Sequence, residues 1–242
     1  MSPTPLKYSG SDYRFIPASA TDKRSPCPAL NSLANHGYLP RHGTDIPFVH
    51  FLHAVRTVYN LSLPFALLLS VGGYLTCAKL SLRKAWWPLS WTISLADLSE
   101  RGWNKIAHDA SLVHPSGVPS HAPDPALVKN LLSAARAAPN GGLDLRGITA
   151  VHVERVRSLQ PPLTLKGLHA TFAAGECALT WLFMGNPSTG AVDVDTLAQW
   201  FGQERLPEGW DLRRPVEPVG LVLVLRRTSQ VRSIEKEDGS SS

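Results

Sequence analysis

Apolar residues recur along most of this chain at helical rather than strand spacing. From Ile46 to Tyr59 they fall at Phe48, Phe51, Leu52, Val55, Val58 and Tyr59, the period of a helix that buries one face. Leu30 opens a shorter helix that Asn35-His36-Gly37 ends, Gly37 being suited to the left-handed turn after a C-terminus. Leu95, Leu98, Trp103 and Ile106 predict a helix over Ser94 to Lys105, with Ser94 as its N-cap. Leu127, Leu131, Leu132 and Ala135 predict another over Pro125 to Ala138, stopped by Pro139-Asn140-Gly141-Gly142. Ile148 to Leu159, Leu168 to Met184 and Asp193 to Phe201 add three more, and the second of these is apolar around most of its circumference, as a central helix would be. Only Pro218 to Arg226, a run of Val, Leu and Gly closed by Arg226-Arg227, reads as a strand. These elements predict an all-α chain, a single helical domain of about eight to ten helices with little or no sheet. Residues 1–20 read as an extended N-terminal arm, 21–227 as the domain and 228–242 as a disordered tail.

One segment is open to two readings. Residues 61–78 form an uncharged run followed by Lys79, Arg83 and Lys84 and then by Trp86, Trp87 and Trp91. Its length, basic flank and aromatic residues meet the minimum for membrane association. Pro64, Gly72 and Gly73 interrupt it, however, and Ser62, Ser70 and Thr76 dilute it. A fully buried core helix is the favoured expectation.

Composition narrows the function classes. The formal charge is +5, but the basic residues are scattered without a dense run, so no nucleic-acid partner is expected. The three cysteines, Cys27, Cys77 and Cys177, show no CxxC spacing, which argues against a disulfide framework and a zinc site. The N-terminus carries no apolar core of a secretory signal, which predicts an intracellular, cytoplasmic protein; a mature secreted form with a new Met1 is also compatible with it. Nothing in the sequence fixes an oligomeric state.

Cys27 is the one cysteine in an unusual setting. Pro26 forces Ser25 into extended backbone, and Pro28 suits the first turn of a helix, so Cys27 is expected at a rigid helix N-terminus where the dipole and free N–H groups favour a thiolate. A lone cysteine is more commonly a small buried hydrophobe, the reading given to Cys77 and Cys177. The stretch from Ser25 to Arg41, with Pro26-Cys27-Pro28-Ala29-Leu30-Asn31 and Ala34 within it, resembles the proximal haem segment of the fungal haem-thiolate peroxidases, the family of chloroperoxidase and the short unspecific peroxygenases. The resemblance implies haem b, with Cys27 as axial ligand to the iron and Pro28, Ala29, Leu30, Asn31 and Ala34 against the cofactor. A thiolate ligand pushes electron density toward a bound peroxide and favours O–O cleavage.

Two further segments carry the resemblance. Glu176 is the sole charged residue from Ala170 to Asn186, and a carboxylate on so apolar a helix is costly to bury unless it is protonated, paired or functional. It matches the family's distal acid–base glutamate, and Phe172, Leu179, Thr180 and Phe183 share its helical face as an expected pocket wall with Ile106. Ala107-His108-Asp109-Ala110-Ser111 resembles the family's Glu-His-Asp-x-Ser motif, which implies that His108 supports the glutamate and that Asp109 orients His108. The family's glutamate there binds Mg²⁺ or Mn²⁺ beside a haem propionate, whereas this chain has Ala107. Losing that carboxylate leaves Ser111 and a propionate, so the cation is expected to be absent, or weakly held with water filling the gap. Glu204-Arg205-Leu206-Pro207 also resembles a late family segment and reads either as a surface ion pair or as a propionate contact.

The resemblance implies an oxidoreductase that uses hydrogen peroxide to oxygenate or oxidise small organic molecules. Two other readings stand beside it: a haem-thiolate enzyme of intracellular secondary metabolism performing coupling or rearrangement, and a haem-binding or sensing module without turnover.

Overall fold

Cys27 converts an extended backbone (φ −106, ψ 108) into helix α1 (Pro28–Asn35), and Pro28 occupies the first turn, where its missing N–H costs nothing. Gly37, at φ 73, takes the left-handed turn that ends α1, and the Tyr38 N–H returns to the Leu33 carbonyl at 2.8 Å. The computed structural model describes residues 12–77, 79–82, 89–102, 105–160, 165–210 and 215–240. Within them the expected arm runs back along α1: the Ile16 N–H donates to the Asn35 carbonyl at 2.9 Å, and Tyr13 stacks on Tyr38. Residues 1–11 of that arm lie outside the described residues.

The rest is mostly helical, as the pattern predicts. Helices α2 (Phe48–Tyr59) and α3 (Leu63–Cys77) pack together and carry a small antiparallel sheet in the order β1 (Ile46–Pro47), β3 (Leu89–Ile93), β2 (Lys79–Leu82). Helix α4 (Pro125–Ala137) starts on Asp124, whose carboxylate accepts the Ala126 and Leu127 N–H groups. Asp144 caps α5 (Leu145–Arg157) by accepting the Gly147 N–H, and a two-residue pairing of β4 (Gly142–Leu143) with β5 (Val192–Asp193) ties the start of α5 to α7 (Val194–Leu197). A π-helical turn, Ala198–Gly202, extends α7 toward α1. Helices α6 (Gly167–Met184) and α8 (Leu221–Ser240) lie along each other, with α5 against both.

Three expectations are corrected. Ser94 to Lys105 is not a helix: a capping box between Ser94 and Asp97 starts only the 3-10 turn Leu95–Ser99, which already buries Leu95 and Leu98. Trp103, expected on its inner face, lies outside the described residues. The strand at Pro218 to Arg226 and the disordered tail are together replaced by α8. Arg226-Arg227 reads as an end, but Val224, Thr228, Val231 and Ile234 are buried at helical spacing on either side of that pair. Finally, α3 is buried on one face only. Phe65, Ala66, Ser70, Gly73 and Tyr74 point inward, while Leu67, Leu68, Val71 and Leu75 are exposed. Among the described residues no helix is long and apolar enough to cross a membrane.

Candidate active site

The proximal side is built around Cys27, which is free and half-buried at the start of α1. Burial pushes its thiol up to about 11, against the pull of the Leu30 and Ala29 N–H groups; Glu176 and Glu204 push it further the same way. The helix start alone therefore does not give the thiolate expected from sequence: desolvation outweighs the two N–H dipoles, and a cation at the sulfur is needed to complete the balance. Beneath Cys27, the Tyr59 hydroxyl at the end of α2 donates to the Ala29 carbonyl at 2.8 Å and lies 2.8 Å from Ser32 Oγ. Phe183, expected in a pocket wall, stacks on the Tyr59 ring at 5.1 Å and belongs to the core under α1. Leu30 and Ala34 are also buried there.

The distal side joins α6 to a segment without regular structure. Ser111 Oγ donates to Glu176 Oε1 at 2.9 Å, and His108 Nε2 stands 3.9 Å from Oε2. Oε2 is buried and accepts no hydrogen bond. Burial raises the Glu176 carboxyl above its ordinary range, opposed by His108, Ser111 and the Leu112 N–H. Of the residues expected beside it, Thr180 is buried, whereas Ile106, Phe172 and Leu179 are partly exposed. Glu176 and Cys27 are 149 positions apart by number, yet the fold brings the carboxylate near enough to raise the thiol pKa electrostatically.

His108 is not held by the Asp109 carboxylate as the resemblance implied. Its Nδ1 meets the Asp109 backbone carbonyl at 2.9 Å, while the Asp109 side chain pairs with Arg101 and accepts the Gly117 N–H at 2.7 Å. With the Asp109 carboxylate engaged by Arg101 and the Gly117 N–H, its backbone carbonyl takes the orienting part. Ala110 adopts φ 59, uncommon for a residue with a Cβ, and is anchored twice: its N–H donates to Ser116 Oγ at 2.9 Å and its carbonyl lies 3.1 Å from His152 Nδ1. His152 is buried and faces Glu235 of α8 at 3.4 Å; burial lowers its pKa to about 4.

These residues fit a thiolate-ligated haem: a free sulfur with N–H donors at the start of α1, and a carboxylate near enough to act on it, one oxygen of which is buried and accepts no hydrogen bond. They do not fit a dedicated Mg²⁺ or Mn²⁺ site. Ala107 offers no side-chain oxygen, Ser111 donates its proton to Glu176, and the Asp109 carboxylate is occupied by Arg101 and Gly117. No group of three or more His, Cys, Asp or Glu able to hold a metal ion occurs among the described residues.

Sequence reasoning missed Arg101, Tyr59 and His152, and for Glu204 it did not find the contact with α1. The available signal was Asn31 and Asn35, two amides spaced i, i+4 on a short helix. Both are buried, which obliges each to find partners.

The sequence pattern described as "Peroxidase, family 2" matches residues 13–215. The chain is 42% identical over 65 residues to the dothistromin biosynthesis peroxidase of Dothistroma septosporum, covering 27% of this chain and 14% of that protein. It is 36% identical over 63 residues to the chloroperoxidase of Leptoxyphium fumago (23% of this chain, 17% of that one) and 38% identical over 58 residues to the aromatic peroxygenase of Coprinellus radians (24% and 22%). The matched stretches thus span less than a quarter of each relative.

Proposed function

Because the chain belongs to peroxidase family 2, the fungal haem-thiolate chloroperoxidase family, we propose that it is a haem-thiolate peroxidase or peroxygenase that uses hydrogen peroxide to oxygenate or oxidise small organic substrates. The observation that carries this reading is Oε2 of Glu176, buried on an apolar helix, accepting no hydrogen bond and faced by His108. A buried carboxylate oxygen that accepts no hydrogen bond is costly, and with His108 beside it at 3.9 Å it is placed to take and return a proton.

The roles divide between the two sides. Cys27 would hold the haem b iron as its thiolate, with the Ala29 and Leu30 N–H groups stabilising the sulfur. When bound, the haem supplies the electrons that split the peroxide O–O bond and passes the oxidising equivalent to substrate. Ser111 fixes Glu176 through Oε1, which leaves Oε2 to accept a proton from one peroxide oxygen and deliver it to the other, so that water departs. His108 stands behind Oε2 and stabilises the carboxylate in its ionised form. Ile106, Phe172, Leu179 and Thr180 form the apolar surround that selects organic substrates.

The test is peroxide-driven product formation by the haem-loaded protein with a panel of aromatic and alkene substrates. Glu176→Gln is expected to keep haem and lose turnover by roughly 10²–10⁴-fold; unchanged turnover would place the acid–base group elsewhere. The match to a peroxidase named for dothistromin biosynthesis favours a secondary-metabolite substrate within the same reading.

A further inference from the structure

Glu204 is a buried carboxylate that the chemistry above leaves unused. It sits just past the π-helical turn and is 8% exposed, which excludes the surface ion pair, one of the two readings the sequence left open. Its backbone holds φ 51, a left-handed conformation that a residue with a Cβ keeps only when its surroundings fix it. Two amides of α1 do so. Asn31 Nδ2 donates to Glu204 Oε1 at 2.5 Å, and Asn35 Nδ2 donates to the Glu204 carbonyl at 3.0 Å.

The contacts continue to the ligand. Asn31 Nδ2 also donates to the Ser25 carbonyl at 2.7 Å, and Asn31 Oδ1 accepts the Ser25 N–H at 2.9 Å and the Ser25 hydroxyl at 3.0 Å. Ser25 Oγ in turn accepts the Cys27 N–H at 3.2 Å. Every donor and acceptor of the Asn31 amide is thereby used, and an unbroken chain of hydrogen bonds runs from a carboxylate to the backbone of the thiolate residue. Such chains polarise along their length.

Resting on the haem-thiolate reading, we propose that Glu204 is a positioning residue of the proximal site, acting through Asn31 and Ser25 on Cys27 and coupling the proton it binds to the charge at the iron. When a one-electron reductant such as dithionite adds an electron at the iron, the thiolate side becomes more negative, and Glu204 takes up one proton from solvent. The groups facing it are few. Arg24, from the segment before α1, grips Asn35 Oδ1 with Nε and Nη2 (3.1 and 2.6 Å) and pulls the Glu204 pKa down, as does Asn31. Asp22 and Arg41 act on Arg24 rather than on Glu204, Cys27 lies at the other end of the chain of bonds, and His36 caps the Leu206 N–H. Arg205 is turned away over Phe15. Burial dominates and raises the Glu204 carboxyl to about 7, which puts its proton exchange within the working range of pH.

The test is a spectroelectrochemical titration of the haem-loaded protein from about pH 5.5 to 8.5. The wild-type ferric/ferrous midpoint is expected to fall as pH rises through the neutral region; a tenfold difference in the proton affinity of Glu204 between the two iron states appears as about 59 mV. Glu204→Gln should remove that slope, Glu204→Asp should restore part of it, and Glu176→Gln should retain it. A slope retained in Glu204→Gln, or lost in Glu176→Gln, overturns the proposal. So does a flat wild-type profile, which decides the matter even if Glu204→Gln fails to fold. The carbon monoxide spectrum of each sample separates the two readings. A wild-type protein without the long-wavelength Soret band fails the haem-thiolate reading and this proposal with it; a normal band with an unaltered slope in Glu204→Gln fails this proposal alone.

Discussion

The two halves of the candidate site are built on opposite plans. On the proximal side the ligand, its helix and most of its hydrogen-bonding groups come from the single stretch Ser25 to Arg41, with Glu204 closing the network from far along the chain; the amides of Asn31 and Asn35 are fully engaged. On the distal side Glu176 and Ser111 are 65 positions apart, the supporting segment has no regular structure, and one carboxylate oxygen accepts no hydrogen bond. A saturated polar network rigidifies, and an unsatisfied buried atom is kept where it reacts. The difference separates a side that holds from a side that exchanges protons.

The comparison can be broken first on the proximal side. Asn31→Ala would leave the Glu204 carboxylate and the Ser25 N–H buried without their partner, a loss of roughly 2–4 kcal/mol that urea unfolding would register. A loss below about 1 kcal/mol would mean that the chain from Glu204 to Cys27 is not held as described.

The halves should also respond to pH in opposite directions. His152 keeps a folded pKa near 4 against an ordinary 6.5, so it favours the folded state when neutral; its contribution, up to ~3 kcal/mol, is complete above about 6.5 and is lost as pH falls toward 4. Glu204 is raised from 4.5 to about 7, so ionising it opposes folding, and stability declines as pH rises across that window. Across about pH 4.5 to 7, melting temperatures should therefore rise less steeply with pH in His152→Gln than in wild type and fall less steeply in Glu204→Gln. A change of the same sign in both variants would erase the distinction.

The smallest effect concerns Asp109. Its pairing with Arg101 predicts that Asp109→Asn and Arg101→Gln weaken the distal segment similarly, each by under about 1 kcal/mol for so partly exposed a pair, and that the double variant costs no more than either alone. An effect of Asp109→Asn on turnover that Arg101→Gln does not share would restore the carboxylate as the group that orients His108.

The unequal legibility of the two halves has the same origin as their unequal construction. Pro26, Pro28 and Gly37 fix backbone angles locally, so α1 and the place of Cys27 could be read from adjacent residues. Glu176 was visible because a single charge on an apolar helix stands out. The attachment of Asp109 to Arg101 and Gly117, and of Ala110 to His152, depends on how an irregular segment folds back on itself, for which no spacing rule exists. Glu204 was left between a surface ion pair and a propionate contact because a charged residue beside an arginine and shortly before a proline looks like a helix end on the surface; its burial is set by two amides some 170 positions earlier. In α8, Arg226-Arg227 masked a helical period that runs through it. Arg227 reaches back over Trp181 of α6, so the pair is a packing feature and not a boundary.

The central claim is that Cys27 ligates the haem iron as a thiolate. It is tested most directly by the absorption spectrum of the reduced, haem-loaded protein under carbon monoxide, wild type beside Cys27→Ala. The account predicts a Soret band at the long wavelength typical of thiolate ligation in the wild type and its disappearance in the variant. The same band persisting in Cys27→Ala, or never forming in a wild type that retains haem, would contradict it.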